Sequence, residues 1–194
     1  FLAPYRVDET PAEGEPSLAP HVINNSWSCP LSEGCDRTAT ALLEASVDAV
    51  RQAGIMVVVS AGNYGNDLGG PCSTVKYPPA IYPQSTTVGN FNHLTDQIHS
   101  SSSQGPVDYG GEIYVKPGIS APGVSINSST RGGTYGSLTG TSMAAPHVAG
   151  AAALLLSAAP GYSGDVDAIE SFLLNSAEPK TTDEGCGGDG PDDV

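Results

Sequence analysis

Gly140-Thr141-Ser142-Met143-Ala144-Ala145-Pro146-His147-Val148-Ala149-Gly150 leads into the longest apolar run of the chain. Pro146 stands near the start of an Ala/Leu-rich run that continues to Ala159, and Pro160 closes it. Proline is tolerated in a first helical turn, where the N–H has no intrahelical partner. Residues 142–159 therefore read as one helix, apolar on nearly every face and so expected to be buried rather than amphipathic. A helix of that kind has no reason to begin with Gly-Thr-Ser unless its entry point has a task. Free backbone N–H groups and the positive end of the dipole favour negative charge there. A serine hydroxyl at that place could attack a carbonyl while its own N–H holds the oxyanion that forms. The plainer alternative is that Thr141 or Ser142 only caps a core helix. A phosphate loop is excluded, because that pattern needs Gly where Tyr135 stands and Lys where Thr141 stands.

Working outward, Ile55-Met56-Val57-Val58-Val59 is a continuous apolar, mostly β-branched run, expected as a fully buried strand of a parallel sheet. Before it, residues 36–52 carry Leu42, Leu43, Val47 and Val50 on one helical face, and Gly54 sits where a C-terminal cap glycine belongs. Val22-Ile23-Asn24-Asn25-Ser26-Trp27-Ser28 starts apolar and turns polar, like a strand that ends at a functional edge. Trp27 reads equally as packing in a core strand. A further strand is expected near 85–88 and a short one at 124–127, with 132–140 as the loop that delivers Ser142. Residues 165–175 form a surface helix with Ile169, Phe172, Leu173 and Leu174 on one side. Residues 1–20 read as an entering loop, His93, His99 and 100–105 as a polar loop, and 181–194 as an acidic, Gly-rich tail. The alternation of strands and helices predicts an α/β fold.

The eleven residues from Gly140 to Gly150 closely resemble the serine-bearing motif of the subtilisin family (the subtilases). That resemblance favours Ser142 as a nucleophile over a cap, and implies a three-layer fold with a mainly parallel central sheet. It also implies that Asn63, in Ala61-Gly62-Asn63, is the side-chain donor of an oxyanion hole, although Asn after Gly commonly only makes a turn. By the same resemblance Ser60, Ala61 and Gly62 would wall the pocket for a substrate side chain. Backbone groups of Ser26, Trp27 and Ser28 would pair with an extended peptide, as in β-augmentation. Pro78-Pro79-Ala80-Ile81-Tyr82, Asn24-Asn25-Ser26-Trp27-Ser28-Cys29-Pro30 and Glu33-Gly34-Cys35-Asp36 look like the bacillopeptidase F-like branch. Lys116-Pro117-Gly118-Ile119-Ser120-Ala121-Pro122-Gly123 matches the segment before the nucleophile, whereas Gln104 stands where the family usually has arginine.

Composition narrows the partners. The 194 residues carry a net charge of −14 with only seven Lys plus Arg, which argues against nucleic acid or an anionic membrane surface. The apolar run at 148–156 is far short of the roughly 20 residues a membrane span needs. Four cysteines without a Cys-x-x-Cys pair suggest disulfides and a secreted, extracellular setting rather than zinc. Cys29 and Cys35 are close enough in sequence for a local bridge across Gly34, leaving Cys72 for Cys186 by elimination. No residue cluster calls for a cofactor or a catalytic metal. In subtilisins a comparable loop can hold a cation through its carbonyls, so a structural calcium is left open without an assigned site.

A serine nucleophile needs a base oriented by a third group. The family's Gly-Thr-His and aspartate motifs do not occur among His21, His93, His99, His147 and their neighbours. His147, five residues beyond Ser142, points to another side of the helix. The family's closing Tyr-Gly-x-Gly run is lacking as well. The expectation is therefore that residues 1–194 form the C-terminal portion of one subtilisin-like catalytic domain. As a serine endopeptidase it would take its Asp and His from the N-terminal segment of the same protease, a partner alongside the peptide substrate. The competing expectation is a non-catalytic subtilase-like binding or assembly module.

Overall fold

The structure is a computed structural model that describes residues 2–4, 6, 8–67, 69–179 and 186. In chain order the elements are β1 (Val22–Asn25), α1 (Arg37–Gln52), β2 (Met56–Ser60), β3 (Thr86–Asn92), β4 (Gln97–Ile98), β5 (Val107–Tyr109), β6 (Glu112–Tyr114), β7 (Ile119–Pro122), β8 (Ile126–Thr130), β9 (Thr134–Leu138), α2 (Thr141–Ala158) and α3 (Val166–Ser176). Residues 1–20, expected as a loop, include two short 3-10 turns, Pro11–Glu13 and Pro16–Leu18.

The β-branched run forms the heart of the sheet. All five residues of β2 are buried. It pairs in parallel with β1 and β3, and β3 pairs in parallel with β7, giving the order β1-β2-β3-β7, while β4 lies antiparallel along the end of β3. Strand side chains alternate between faces, so β2 feeds two cores. Met56 and Val58 join Val88, Ala121 and the buried residues of α2 and α3. Val57 and Val59 join Val47 of α1 with Val75, Ala80, Tyr82 and Val107. Helices therefore cover both faces of a mainly parallel sheet, the three-layer α/β arrangement expected.

Local chemistry fixes the helix ends. Asp36 caps α1, its Oδ1 accepting from the Thr38 and Ala39 N–H groups at 2.9 Å. Gly54 follows the helix with φ +80°, as a terminating glycine should. Leu43 and Val50 pack beside Val47, but Leu42 is exposed. Residues 43, 47 and 50 follow the i, i+4, i+7 stripe, whereas Leu42 sits about 100° away round the helix. In α3, capped by Asp165, Ile169 is buried and Leu173 packs on the core, while Phe172 and Leu174 lie at the surface.

Three expectations need correction. Helix α2 is not buried on every face: its buried residues are Thr141, Ala144, Ala145, Val148, Ala152 and Leu156, one stripe against the sheet, and Leu154 is 73% exposed. By length and composition alone α2 would suit a membrane span, but a helix packed on a sheet passes the same test. The loop expected at 132–140 is instead the second half of an antiparallel hairpin, β8 with β9, turned through Gly132 and Gly133 at φ +91° and +75°. The first half of that hairpin begins later than the strand expected at 124–127. Finally, the polar tract at 100–105 is buried at Ser102, Ser103 and Gln104, because its groups pair with backbone groups of Asn90, of Gly62 and Tyr64, and of Thr74 and Val75.

Cys29 is bonded to Cys35 and Cys72 to Cys186, with Cα separations of 5.6 and 5.0 Å. Apart from Cys186, the expected tail at 181–194 lies outside the described residues.

One buried charge gives the fold a pH signature. Lys116 Nζ donates to the Ser85 carbonyl at 2.7 Å and to Thr87 Oγ1 at 3.0 Å. Burial pushes its pKa down from 10.5 to about 8, with Glu170 opposing and Arg51 reinforcing the shift. Below pH 8 both folded and unfolded chains hold the proton, and the folded state bears the full desolvation cost. Between pH 8 and 10.5 the folded state releases it first, so the unfolded chain binds more protons and stability rises with pH. Lys116→Met removes that rise. In the intact protein carrying Ser142→Ala, urea unfolding should show wild-type Lys116 gaining about 3 kcal/mol on Lys116→Met across this window. A stability difference that does not change with pH would refute the assignment.

Candidate active site

The parallel register sets Asn25 beside Val59, so the chain leaves β1 and β2 at the same edge of the sheet. Open α/β sheets place their ligands at such C-terminal strand ends. The first turn of α2 lies across this edge. Ser26 Oγ donates to the Ser142 carbonyl at 2.9 Å, and Ser142 Oγ lies 3.4 Å from the Ser26 carbonyl oxygen. The Gly62 N–H donates to Thr141 Oγ1 at 3.2 Å. Asn63 Oδ1 accepts from the Thr141 N–H at 2.9 Å and from Thr141 Oγ1 at 3.2 Å. Residues far apart in sequence thus meet in one constellation.

Asn63 is held in a defined orientation. A backbone N–H can only donate, so the atom facing Thr141 must be the amide oxygen. Nδ2 is then turned from Thr141, on an exposed side chain. The first turn supplies a second donor. The Thr141 N–H goes to Asn63, and those of Met143 and Ala144 go to the Gly140 carbonyl. Among the described residues the Ser142 N–H has no protein acceptor, as expected of a helix start. Gly140, at φ +155°, permits this approach: a Cβ there would sit 3.2 Å from Asn63 Oδ1.

The remaining predicted residues fall around this point. Ser60 and Ala61 are buried strand-end residues, with the Ala61 N–H on the Val88 carbonyl at 3.0 Å, and Gly62 is half-buried with φ +106°. Ser28 is half-buried too. Trp27 is 46% exposed, its indole Nε1 donating to Asn25 Oδ1 at 3.0 Å, so the alternative of a core tryptophan does not hold. Beneath the turn, the Ser103 N–H donates to the Gly62 carbonyl and Ser103 Oγ accepts from the Tyr64 N–H, at 3.0 and 3.1 Å. Thr141 is the residue that sequence reasoning missed. Its place in the sequence suggests only a cap, yet it is fully buried and bonds to both Gly62 and Asn63. A β-branched hydroxyl between Gly140 and the serine was the available signal.

The subtilase family matches residues 12–190 as a sequence profile. The chain belongs to this family.

This subtilase is 41% identical to bacillopeptidase F of Bacillus subtilis (strain 168) over 184 residues, covering 93% of this chain and 12% of that protein. It is 44% identical to a subtilisin of Bacillus pumilus over 142 residues, covering 73% of this chain and 44% of the relative. The crystal structure of a cold adapted subtilisin-like serine proteinase superposes with a TM-score of 0.63 at 32% identity, covering 84% of this chain and 50% of that one. The chain therefore spans half or less of the length of each of these relatives.

The histidines have other partners or face solvent. His147 Nδ1 is paired with the Met143 carbonyl at 2.8 Å, and His99 Nδ1 with Ser101 Oγ at 2.9 Å. His21 and His93 are exposed. Among the described residues no hydrogen bond joins a histidine or a carboxylate to Ser142, and no three His, Cys, Asp or Glu side chains converge to hold a metal ion.

Proposed function

We propose that this chain carries the nucleophile and oxyanion site of a secreted serine endopeptidase. Ser142 Oγ attacks the scissile carbonyl and forms an acyl-enzyme that water then hydrolyses. The Ser142 N–H and Asn63 Nδ2 receive the oxyanion of the tetrahedral intermediate. An aspartate–histidine pair from a segment beyond this chain, the N-terminal part of the same protease, takes the hydroxyl proton. The peptide lies extended along Ser26, Trp27 and Ser28, with a side chain directed towards Ser60, Ala61 and Gly62. The observation that carries this reading is the pinned carboxamide of Asn63: its Oδ1 is held by Thr141, the residue next to Ser142, so Nδ2 is left to donate, and the Ser142 N–H has no protein acceptor among the described residues.

A donor that acts on the transition state is tested by substitution. Asn63→Leu in the intact protease should lower kcat roughly 10²–10³-fold with little change in KM, a magnitude taken from removal of such a donor in a subtilisin. A change confined to KM would return Asn63 to the role of a turn former. Binding of peptide without hydrolysis by the intact wild-type protein would instead favour the non-catalytic module, the reading suggested by the lack of a base bonded to Ser142 among the described residues.

A further inference from the structure

Asn90, in β3, is fully buried on the sheet face that α2 covers, and neither polar atom of its carboxamide has a hydrogen-bond partner among the described residues. Its register partner across the sheet is Ala121, two residues before Gly123. A Cβ built on Gly123 would collide with Asn90 Oδ1 and would lie 2.7 Å from the Gly140 carbonyl oxygen. The carboxamide and that carbonyl thus crowd the same point above Gly123. Gly123 is itself a junction. Its N–H donates to the Phe91 carbonyl at 3.0 Å, and its carbonyl accepts the Gly140 N–H at 2.8 Å. Gly140 is the residue from which Thr141 and Ser142 enter the helix.

We infer that Asn90 is a positioning residue for the oxyanion site, bracing the Gly123–Gly140 junction from below; the inference rests on the proposed protease reading. A fully buried carboxamide is costly unless its hydrogen-bonding groups are used, and unpaired cases in folded proteins call for a reason. The two ends of a carboxamide differ only in which atoms donate. Turned about, Nδ2 takes the place of Oδ1 above Gly123, the point that the Gly140 carbonyl also crowds, and that carbonyl is the acceptor of the Met143 and Ala144 N–H groups. A donor at that place fixes the pitch of the first turn, and with it the direction of the Ser142 N–H and the grip of Thr141 on Asn63. Asn90 does not touch the reacting atoms. It acts through the junction, and small displacements of an oriented site are enough to lower rates.

The test compares Asn90→Ala and Asn90→Leu with Ser120→Ala in the intact protease. Ser120 Oγ is also buried without a partner among the described residues, on the neighbouring strand, and controls for the general cost of such a group. Active sites are counted by titration, so that unfolded molecules do not enter kcat. Both Asn90 variants should lower kcat about ten- to a hundredfold with KM within about twofold, while Ser120→Ala leaves both near wild type. Amide hydrogen exchange of the segment 139–146 should be faster in Asn90→Ala than in wild type. Unchanged kcat per active site in Asn90→Leu overturns the inference, even if that variant melts earlier. If the intact wild type cleaves no peptide, the protease reading fails separately. Hydrogen exchange then decides the bracing alone, and unchanged protection at 139–146 overturns it.

Discussion

Ser142→Ala should abolish covalent labelling of the intact protein by a fluorophosphonate probe while leaving the fold in place. The substitution removes one oxygen from a half-buried side chain whose hydrogen bond, to the Ser26 carbonyl, is a long 3.4 Å. The stronger tie at this place, Ser26 Oγ to the Ser142 carbonyl at 2.9 Å, uses the backbone of residue 142 and survives. The contacts between Thr141, Gly62 and Asn63 do not involve the hydroxyl either. The loss of stability should therefore stay within about 1 kcal/mol, as for a weak, part-exposed hydrogen bond. Labelling is the stricter readout than hydrolysis. A site without its nucleophile can still stabilise an oxyanion and retain some catalysis over water, but the probe needs an atom to bond to. Circular dichroism and the melting temperature should match wild type, and undiminished labelling would remove Ser142 from the mechanism.

Much of this arrangement was legible in the chain because it rests on local rules. The run 55–59 has no polar residue and could only be a buried strand; α1 announces its start with Asp36 and its end with Gly54. The meeting of Asn63 with Ser142 was legible for another reason. The two are 79 residues apart, and no periodicity connects them; only the likeness of both short motifs to one family did so. What remained hidden depends on neighbours supplied by tertiary structure. Ser102, Ser103 and Gln104 look like a solvated loop by composition, yet they are buried because backbone groups elsewhere need them as partners: Ser102 Oγ accepts from the Asn90 N–H, Ser103 bonds to Gly62 and Tyr64, and the Gln104 carbonyl accepts from Thr74 and Val75. The β8–β9 hairpin is rich in Ser, Thr and Gly and exposed along most of its length, so no apolar alternation marked it. Asn90 follows the same logic: it lies beyond the strand expected near 85–88, and nothing local marks its polar side chain as fully buried.

The same reasoning makes α2 the most informative disagreement, and it leads to the second large effect: alone, this chain should be inactive, and the N-terminal segment of the same protease should restore activity. The helix is apolar all round in sequence, yet the sheet covers one stripe of it, leaving Leu154 and much of the opposite face exposed. Strand β1, whose end carries Ser26 against the nucleophile, pairs only with β2 among the described residues, so its outer edge has free backbone groups. An unpaired strand edge beside an uncovered apolar helix invites association. A segment that added strands along β1 and packed a further element over α2 would cover both at once. It would also bring a base to the side of Ser142 Oγ where the described residues supply none. Without that base the hydroxyl is weakly nucleophilic, and only the contribution of the oxyanion site remains. Mixing the separately produced N-terminal segment with this chain should therefore raise hydrolysis of a chromogenic peptide by at least about 10³-fold. Light scattering should show the chain alone self-associating and the mixture forming a one-to-one complex. If the chain alone is monomeric, melts cooperatively and cleaves peptides at the rate of the mixture, it contains its own base, and completion by a second segment is wrong.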